Sequence, residues 1–187
     1  MQTTSHILMI KPVAFDFNAE TAVNNAFQQE GGNENAQQKA EAEFDGFVQK
    51  LTAAGVDVTV VQDTPQPHTP DSIFPNNWIS FHQDGSIVLY PMYATNRRAE
   101  RKQHVLDTIA AKFDVKQQID FTSKENDDHF LEGTGSMVLD RDNKIAYACL
   151  SPRTDKTVFE EWCSRMNYTA CSFYSVDENG GEIYHTN

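Results

Sequence analysis

Polar residues recur in this chain at a fixed distance. Asn77, Glu132 and Asn187 lie 55 residues apart, and Arg98 and Arg153 repeat the same interval. His185 stands just before the last of them, in the terminal stretch EIYHTN. The residue types matter as much as the spacing. Imidazole gains and loses a proton near neutral pH, so His185 can serve as a general acid or base. A carboxylate such as Glu132 can orient it. Asparagine offers a donor and an acceptor together, whereas an ionised aspartate only accepts. Taken singly, each position has a plainer reading. Asn77 fits a turn residue after Pro75, Glu132 a solvated loop charge, and His185 a surface residue. Arg98 and Arg153 fit surface charges at helix starts, although cations are mildly unfavourable there. The shared interval favours a common role, because equivalent positions converge when repeated units circle one axis.

The elements that would carry these residues repeat with them. Residues 6–10, HILMI, read as a short buried strand, and 13–33 as irregular chain with Gly31-Gly32 as a breaker. A helix is expected over about 35–54, with Phe44, Phe47, Val48 and Leu51 as one apolar stripe. Asn33 or Asn35 could cap its start, and Gly55 sits where a C′ glycine belongs. VDVTVV is then a strand. WISFHQ and SIVLYPMY are strands joined by Asp84-Gly85, a hairpin signal. A helix over about 98–112 carries Val105, Ile109 and Phe113 on one face, and DVKQQIDF closes the unit. The order then returns. GSMVLD and KIAYACL flank the turn RDN, a helix over about 154–166 carries Val158, Phe159, Trp162 and Met166, and TACSFYSV closes. The chain therefore reads as an α/β fold, one domain over 1–187. Its strand–strand–helix–strand units cover about 77–122 and 132–177, with a partial copy at 6–61 and Ile183-Tyr184 opening a further one. Such units bury their faces by stacking on neighbours.

Composition narrows the function. Hydrophobic residues make up 39% and charged residues 22%, as in ordinary soluble domains. Lys plus Arg total 15 against 27 Asp plus Glu, a formal charge of −12. That balance repels phosphate backbones and anionic bilayers, so neither nucleic acid nor a membrane is expected as a partner. No apolar run reaches the length of a membrane span. Cys149, Cys163 and Cys171 are an odd number without metal-ligand spacing, which fits a reduced, cytoplasmic setting. All three read as small buried hydrophobes. His68, His82, His104 and His129 show no ligand spacing, so no metal site is expected.

The segments PDSIFPNNW, YATNRRAER, HFLEGTGSMVLD and YHTN, in this order and spacing, resemble the arginine deiminase-like, or amidinotransferase, superfamily. Within it the chain is most similar to the citrulline-utilisation hydrolases. The resemblance covers essentially the whole chain. It implies a pentein fold, a propeller of five strand–strand–helix–strand units, of which about three would be present. It also implies roles. Residues at Asn77 and Asn187 clamp the substrate's planar group, Glu132 supports the clamp, His185 is the acid–base, and a cysteine near the C-terminus is the nucleophile. Arg98 and Arg153 would meet the substrate's α-carboxylate, and Asp71 its α-amino group. Two departures stand out. The superfamily's clamp residues are acidic, and here both are Asn. A neutral ureido group needs a donor for its oxygen, so the exchange favours citrulline over arginine. The nucleophile, moreover, matches none of the three cysteines and is expected beyond Asn187, so the chain reads as interrupted at its functional strand. Alone it would be inactive, with an open strand edge that invites self-association into a homo-oligomer.

The implied activity is hydrolysis of a ureido carbon–nitrogen bond, citrulline to ornithine, carbon dioxide and ammonia, with no metal or organic cofactor. The expected partner is a small amino-acid substrate. An arginine or methylarginine deiminase, and a non-catalytic remnant that binds ligand or self-associates, stay open as alternatives.

Overall fold

A parallel pair opens the chain. Strand β1 (His6–Lys11) lies beside β2 (Asp57–Gln62), in a register that runs from His6 opposite Asp57 to Lys11 opposite Gln62. The computed structural model describes residues 2–22 and 35–187, so the Gly31-Gly32 breaker and the candidate cap Asn33 lie outside the described residues. A single turn, α1 (Ala19–Ala22), and the longer α2 (Ala36–Ala53) connect the two strands. Asn35 stands at the N-cap of α2 but its side chain makes no capping bond. Gly55 ends the helix at φ +86°, a left-handed conformation in which a side chain would be strained. None of the apolar stripe of α2 is fully buried, and Phe47 is 54% exposed.

The strand–strand–helix–strand order then occurs twice. Strands β3 (Ile79–Phe81) and β4 (Ser86–Leu89) form an antiparallel hairpin. The Asp84 carboxylate accepts from the Ser86 amide at 2.9 Å, and Gly85 takes the positive φ that the turn requires. The helix expected over 98–112 is broken into α3 (Thr95–Arg98) and α4 (Gln103–Lys112). Strand β5 (Gln117–Asp120) then adds in parallel to β4. In the second copy a short turn, α5 (Gly133–Ser136), precedes the hairpin of β6 (Met137–Asp140) and β7 (Ile145–Cys149). Helix α6 (Lys156–Met166) follows, and β8 (Thr169–Phe173) lies parallel to β7. Asp155 caps α6 by accepting from the Val158 amide, and Asn167 closes it in the left-handed conformation.

The sheets are therefore β1–β2, β3–β4–β5 and β6–β7–β8. This is a mixed α/β fold of small sheets, and none of them closes into a barrel among the described residues. The strand expected at Ile183-Tyr184 does not form. Next to it Glu182 makes an isolated bridge with Val176, the Ile183 amide donates to Ser175 O at 3.0 Å, and the Tyr184 carbonyl accepts from Ser151 Oγ.

The described residues fall into two compact units. One holds Asn76–Tyr93 and Ile109–Asn187. Its core joins Val88 and Tyr90 of the first hairpin region to Met137, Leu139, Ala146 and Ala148 of the second, under Val158, Phe159 and Trp162 of α6. The other unit holds Thr3–Pro75 and Ala94–Thr108. Buried ion pairs hold it as well as apolar contacts. Arg97 Nε bonds Glu100 at 2.7 Å, and Lys102 Nζ bonds Asp63 at 2.6 Å, with all four side chains nearly sealed from solvent.

Candidate active site

Glu132 sits at the N-cap of α5, fully buried, where GTGS turns the chain tightly into β6. Gly133 adopts φ +45°, and a Cβ there would collide with the Asn76 carbonyl. Ser136 ties this turn together. Its Oγ accepts from the Glu132 amide (2.9 Å) and the Thr154 hydroxyl (2.7 Å), and donates to the Arg153 carbonyl (2.9 Å). Every polar group in this buried knot has a partner, as burial demands.

Both carboxylate oxygens of Glu132 are occupied. Oε1 accepts from the Tyr93 amide at 3.1 Å. Oε2 lies 2.8 Å from His185 Nε2 and 3.6 Å from Arg153 Nη1. An ionised carboxylate only accepts, so Nε2 carries the hydrogen of the His185 pair. His185 keeps 14% of its side chain open to solvent, whereas Arg153 keeps 2%. The Arg153 guanidinium lies over the Tyr184 ring at 4.4 Å, and that ring packs on His185 at 4.7 Å.

The terminal segment is held from below. The Thr186 amide donates to the Gly135 carbonyl at 2.9 Å, and its hydroxyl donates to Ser136 O and accepts from the Cys149 amide. Gly135 is the closest point of the site. A Cβ there would strike the Asn77 amide nitrogen and stand 3.0 Å from His185 Nδ1. Asn77 (5% exposed), Glu132, Arg153 and His185 are thus gathered around one glycine turn. Asn187 reaches the same turn through its backbone, 3.4 Å from Gly135 O, with its residue exposed.

Asp71 and Arg98 belong to the other unit. Asp71 Oδ2 accepts from Asn18 Nδ2 (2.7 Å) and Thr21 Oγ1 (3.1 Å), and lies 3.9 Å from Arg97 Nε. Arg97, not Arg98, is the buried arginine of the pair. Sequence reasoning missed Tyr184, Ser136, Thr154 and Thr186, whose types carry no signal without their neighbours in space. Arg97 and Glu100 at helical spacing were a legible pair.

Two of the cysteines are buried, but Cys171 is exposed on β8, against the expectation that all three are buried. Burial, with Glu160 adding, pushes the Cys163 thiol up to about 12, so it stays protonated. Cys149 Sγ donates to the Ile183 carbonyl at 3.3 Å. No cluster able to hold a metal ion, and no helix long and apolar enough to cross a membrane, occurs among the described residues.

Solved structures share this fold. The N-terminal domain of ArgZ, an arginine dihydrolase from cyanobacteria, was crystallised with substrate. It superposes at TM-score 0.70 with 18% identity, over 95% of this chain and 60% of its own. The DDAH of Pseudomonas aeruginosa, complexed with citrulline, gives 0.66 and 14% over 96% and 62%. AgrE bound to L-arginine gives 0.71 and 20% over 95% and 25%. The chain therefore spans about three-fifths of the length of the first two. No curated protein matches it in a sequence search. The family model described as N,N dimethylarginine dimethylhydrolase, eukaryotic, matches residues 11–187. Nearly the whole sequence lies within that match, and the chain belongs to this family of the amidinotransferase superfamily.

Proposed function

We propose that the chain forms part of a hydrolase that cleaves a carbon–nitrogen bond in the guanidino or ureido group of an amino acid. The observation that carries this is the His185–Glu132 pair, gathered with Asn77 around one glycine turn. Names of the relatives support the class. ArgZ is an arginine dihydrolase, and the Pseudomonas DDAH and AgrE were crystallised with citrulline and with L-arginine. In this reading the units belong to a five-unit propeller, of which the present chain is about three-fifths, the share it spans of the ArgZ domain.

Within the class, the substrate proposed is a ureido group, with citrulline giving ornithine, carbon dioxide and ammonia. Asn77 and Asn187 would hold the group, since an amide can donate to its oxygen and accept from its nitrogen. A thiolate adds to the ureido carbon. The tetrahedral adduct expels ammonia, which takes a proton from His185, and leaves a carbamoyl thioester. His185 then removes a proton from water as it attacks that carbon. The thiol departs, and the released carbamate loses carbon dioxide to give ornithine. With Nε2 held by Glu132, Nδ1 is the nitrogen that would exchange protons. The thiolate is proposed to come from a cysteine other than Cys149, Cys163 and Cys171, two of which are buried and the third of which lies on the outer strand β8. The serine-for-cysteine variants of ArgZ and of the Pseudomonas enzyme, crystallised with ligand, support a thiol in this role.

A guanidino substrate, arginine or a methylarginine, is the second reading, favoured by the family's name and by ArgZ. Calorimetry with citrulline and arginine separates the two. Citrulline should bind more tightly, and Asn77→Asp should reverse the preference, because a carboxylate suits a guanidinium. Tighter binding of arginine by the unaltered chain would overturn the ureido assignment. Binding of neither ligand would overturn the hydrolase reading.

A further inference from the structure

We propose that Thr186 is a positioning residue for His185, a hydroxyl strut that holds the imidazole against Glu132. The proposal rests on the reading above for the role of His185 alone. Residues 183–187 form no strand, so no ladder of backbone bonds sets the place of the imidazole. Thr186, the next residue, supplies that hold through its side chain. Its Oγ accepts from the Cys149 amide at 2.8 Å and donates to the Ser136 carbonyl at 2.6 Å. An amide N–H can only donate and a carbonyl can only accept, so the group between them must do both at one atom. A hydroxyl does so. The β-branch of threonine also stiffens χ1, which holds that oxygen in line.

What Thr186 grips is the turn that carries Glu132. The amides of Gly135 and Ser136 both donate to the Glu132 carbonyl at 3.0 Å, and Ser136 Oγ accepts from the Glu132 amide. The Thr186 amide donates to Gly135 O at 2.9 Å, so backbone and side chain of one residue bind the same turn. The second anchor, Cys149, ends β7, the middle strand of its sheet. Ser136 is fully buried and Cys149 is 1% exposed, so water is a poor substitute for the hydroxyl at either group. The imidazole meanwhile lies close over Gly135, where a Cβ would stand 3.0 Å from Nδ1. A segment that slid away from Ser136 would therefore carry Nε2 off the Glu132 oxygen that it reaches at 2.8 Å.

The test uses the chain labelled with nitrogen-15 histidine. Nε2–H of His185, donated to Glu132, should give a downfield proton resonance, identified by its disappearance in His185→Asn. Thr186→Val keeps the branched shape and removes the hydroxyl. It should abolish the resonance in a chain that still unfolds cooperatively in urea. Thr186→Ser keeps the hydroxyl and should retain the resonance. An unchanged resonance in a folded Thr186→Val would overturn the proposal, and so would its loss in a folded Thr186→Ser. If the Val variant does not fold, the Ser variant decides, retention supporting the proposal and loss overturning it. The resonance needs no ligand, so it is separate from the hydrolase reading, which fails if calorimetry shows that the unaltered chain binds neither citrulline nor arginine.

Discussion

At the scale of a single residue, burial decides the charge of His82. It brings the imidazole from its ordinary 6.5 down to about 4, with Arg141 and Lys144 adding and Asp84 opposing. Ser80 Oγ lies 2.9 Å from His82 Nε2 and 2.6 Å from the Tyr90 hydroxyl, which also accepts from Trp162 Nε1 at 3.0 Å. A neutral ring therefore ends a buried chain of hydroxyls. The folded pKa lies below the unfolded one, so between pH 6.5 and 4 the unfolded chain binds a proton that the folded chain refuses. Stability present above pH 6.5 is lost as pH falls through that window, by about 3 kcal/mol in all. The urea midpoint should drop more steeply across the window in the unaltered protein than in His82→Gln. Parallel profiles would show that the folded state does not keep the ring neutral. In the sequence His82 was only a histidine without ligand spacing. Its burial depends on partners such as Trp162, which is far along the chain.

At the scale of elements, the sequence located helices by their apolar faces and misjudged where charges enter. Val105 and Ile109 mark α4 correctly, and both are buried. The same reading ran the helix back to residue 98, but α3 stops at Arg98 and α4 starts at Gln103. Between them Glu100 turns to Arg97, and Lys102 turns to Asp63, Thr69 and the carbonyls of Thr64 and Pro67. The partners of Lys102 are distant in sequence, and their pairing leaves no periodic trace. The turn after Glu132 escaped notice for a related reason. Asn77 leads almost directly into β3, whereas α5 intervenes between Glu132 and β6, and that insertion supplies Gly135 and Ser136 to the site. The places of Asn77 and Glu132 were legible by interval, but the glycine turn between them was not. The Lys102 cluster yields a prediction. Lys102→Met would leave the buried Asp63 carboxylate without its cation and should cost about 3–5 kcal/mol in urea unfolding. Adding Asp63→Asn should recover part of the loss. A cost well under about 1 kcal/mol would mean the pair behaves as if solvent-exposed.

At the scale of the whole molecule, the strand–strand–helix–strand order was readable because each copy carries its own hairpin and apolar helix. Both three-stranded sheets share one topology, antiparallel in the first pair and parallel in the second. The charge balance is a property of the same scale. An excess of acidic over basic residues gives −12, a self-repulsion that acts on the folded state more than on an expanded chain. Local ion pairs work the other way. Lys11–Asp45 and Lys124–Glu161 are partly open to water and weaken as salt is added. Arg97–Glu100 and Lys102–Asp63 are sealed from solvent and respond little. Lys116–Asp114, Lys156–Glu160 and Arg165–Glu161 are open to water too, but each exposed pair contributes little, while the net repulsion is exposed throughout. At pH 7 the urea midpoint should rise as sodium chloride approaches 0.1 M, where the screening length is about 10 Å. A fall over the same range would mean that the exposed pairs outweigh the net charge, and that the acidic excess is spread too thinly to strain the fold.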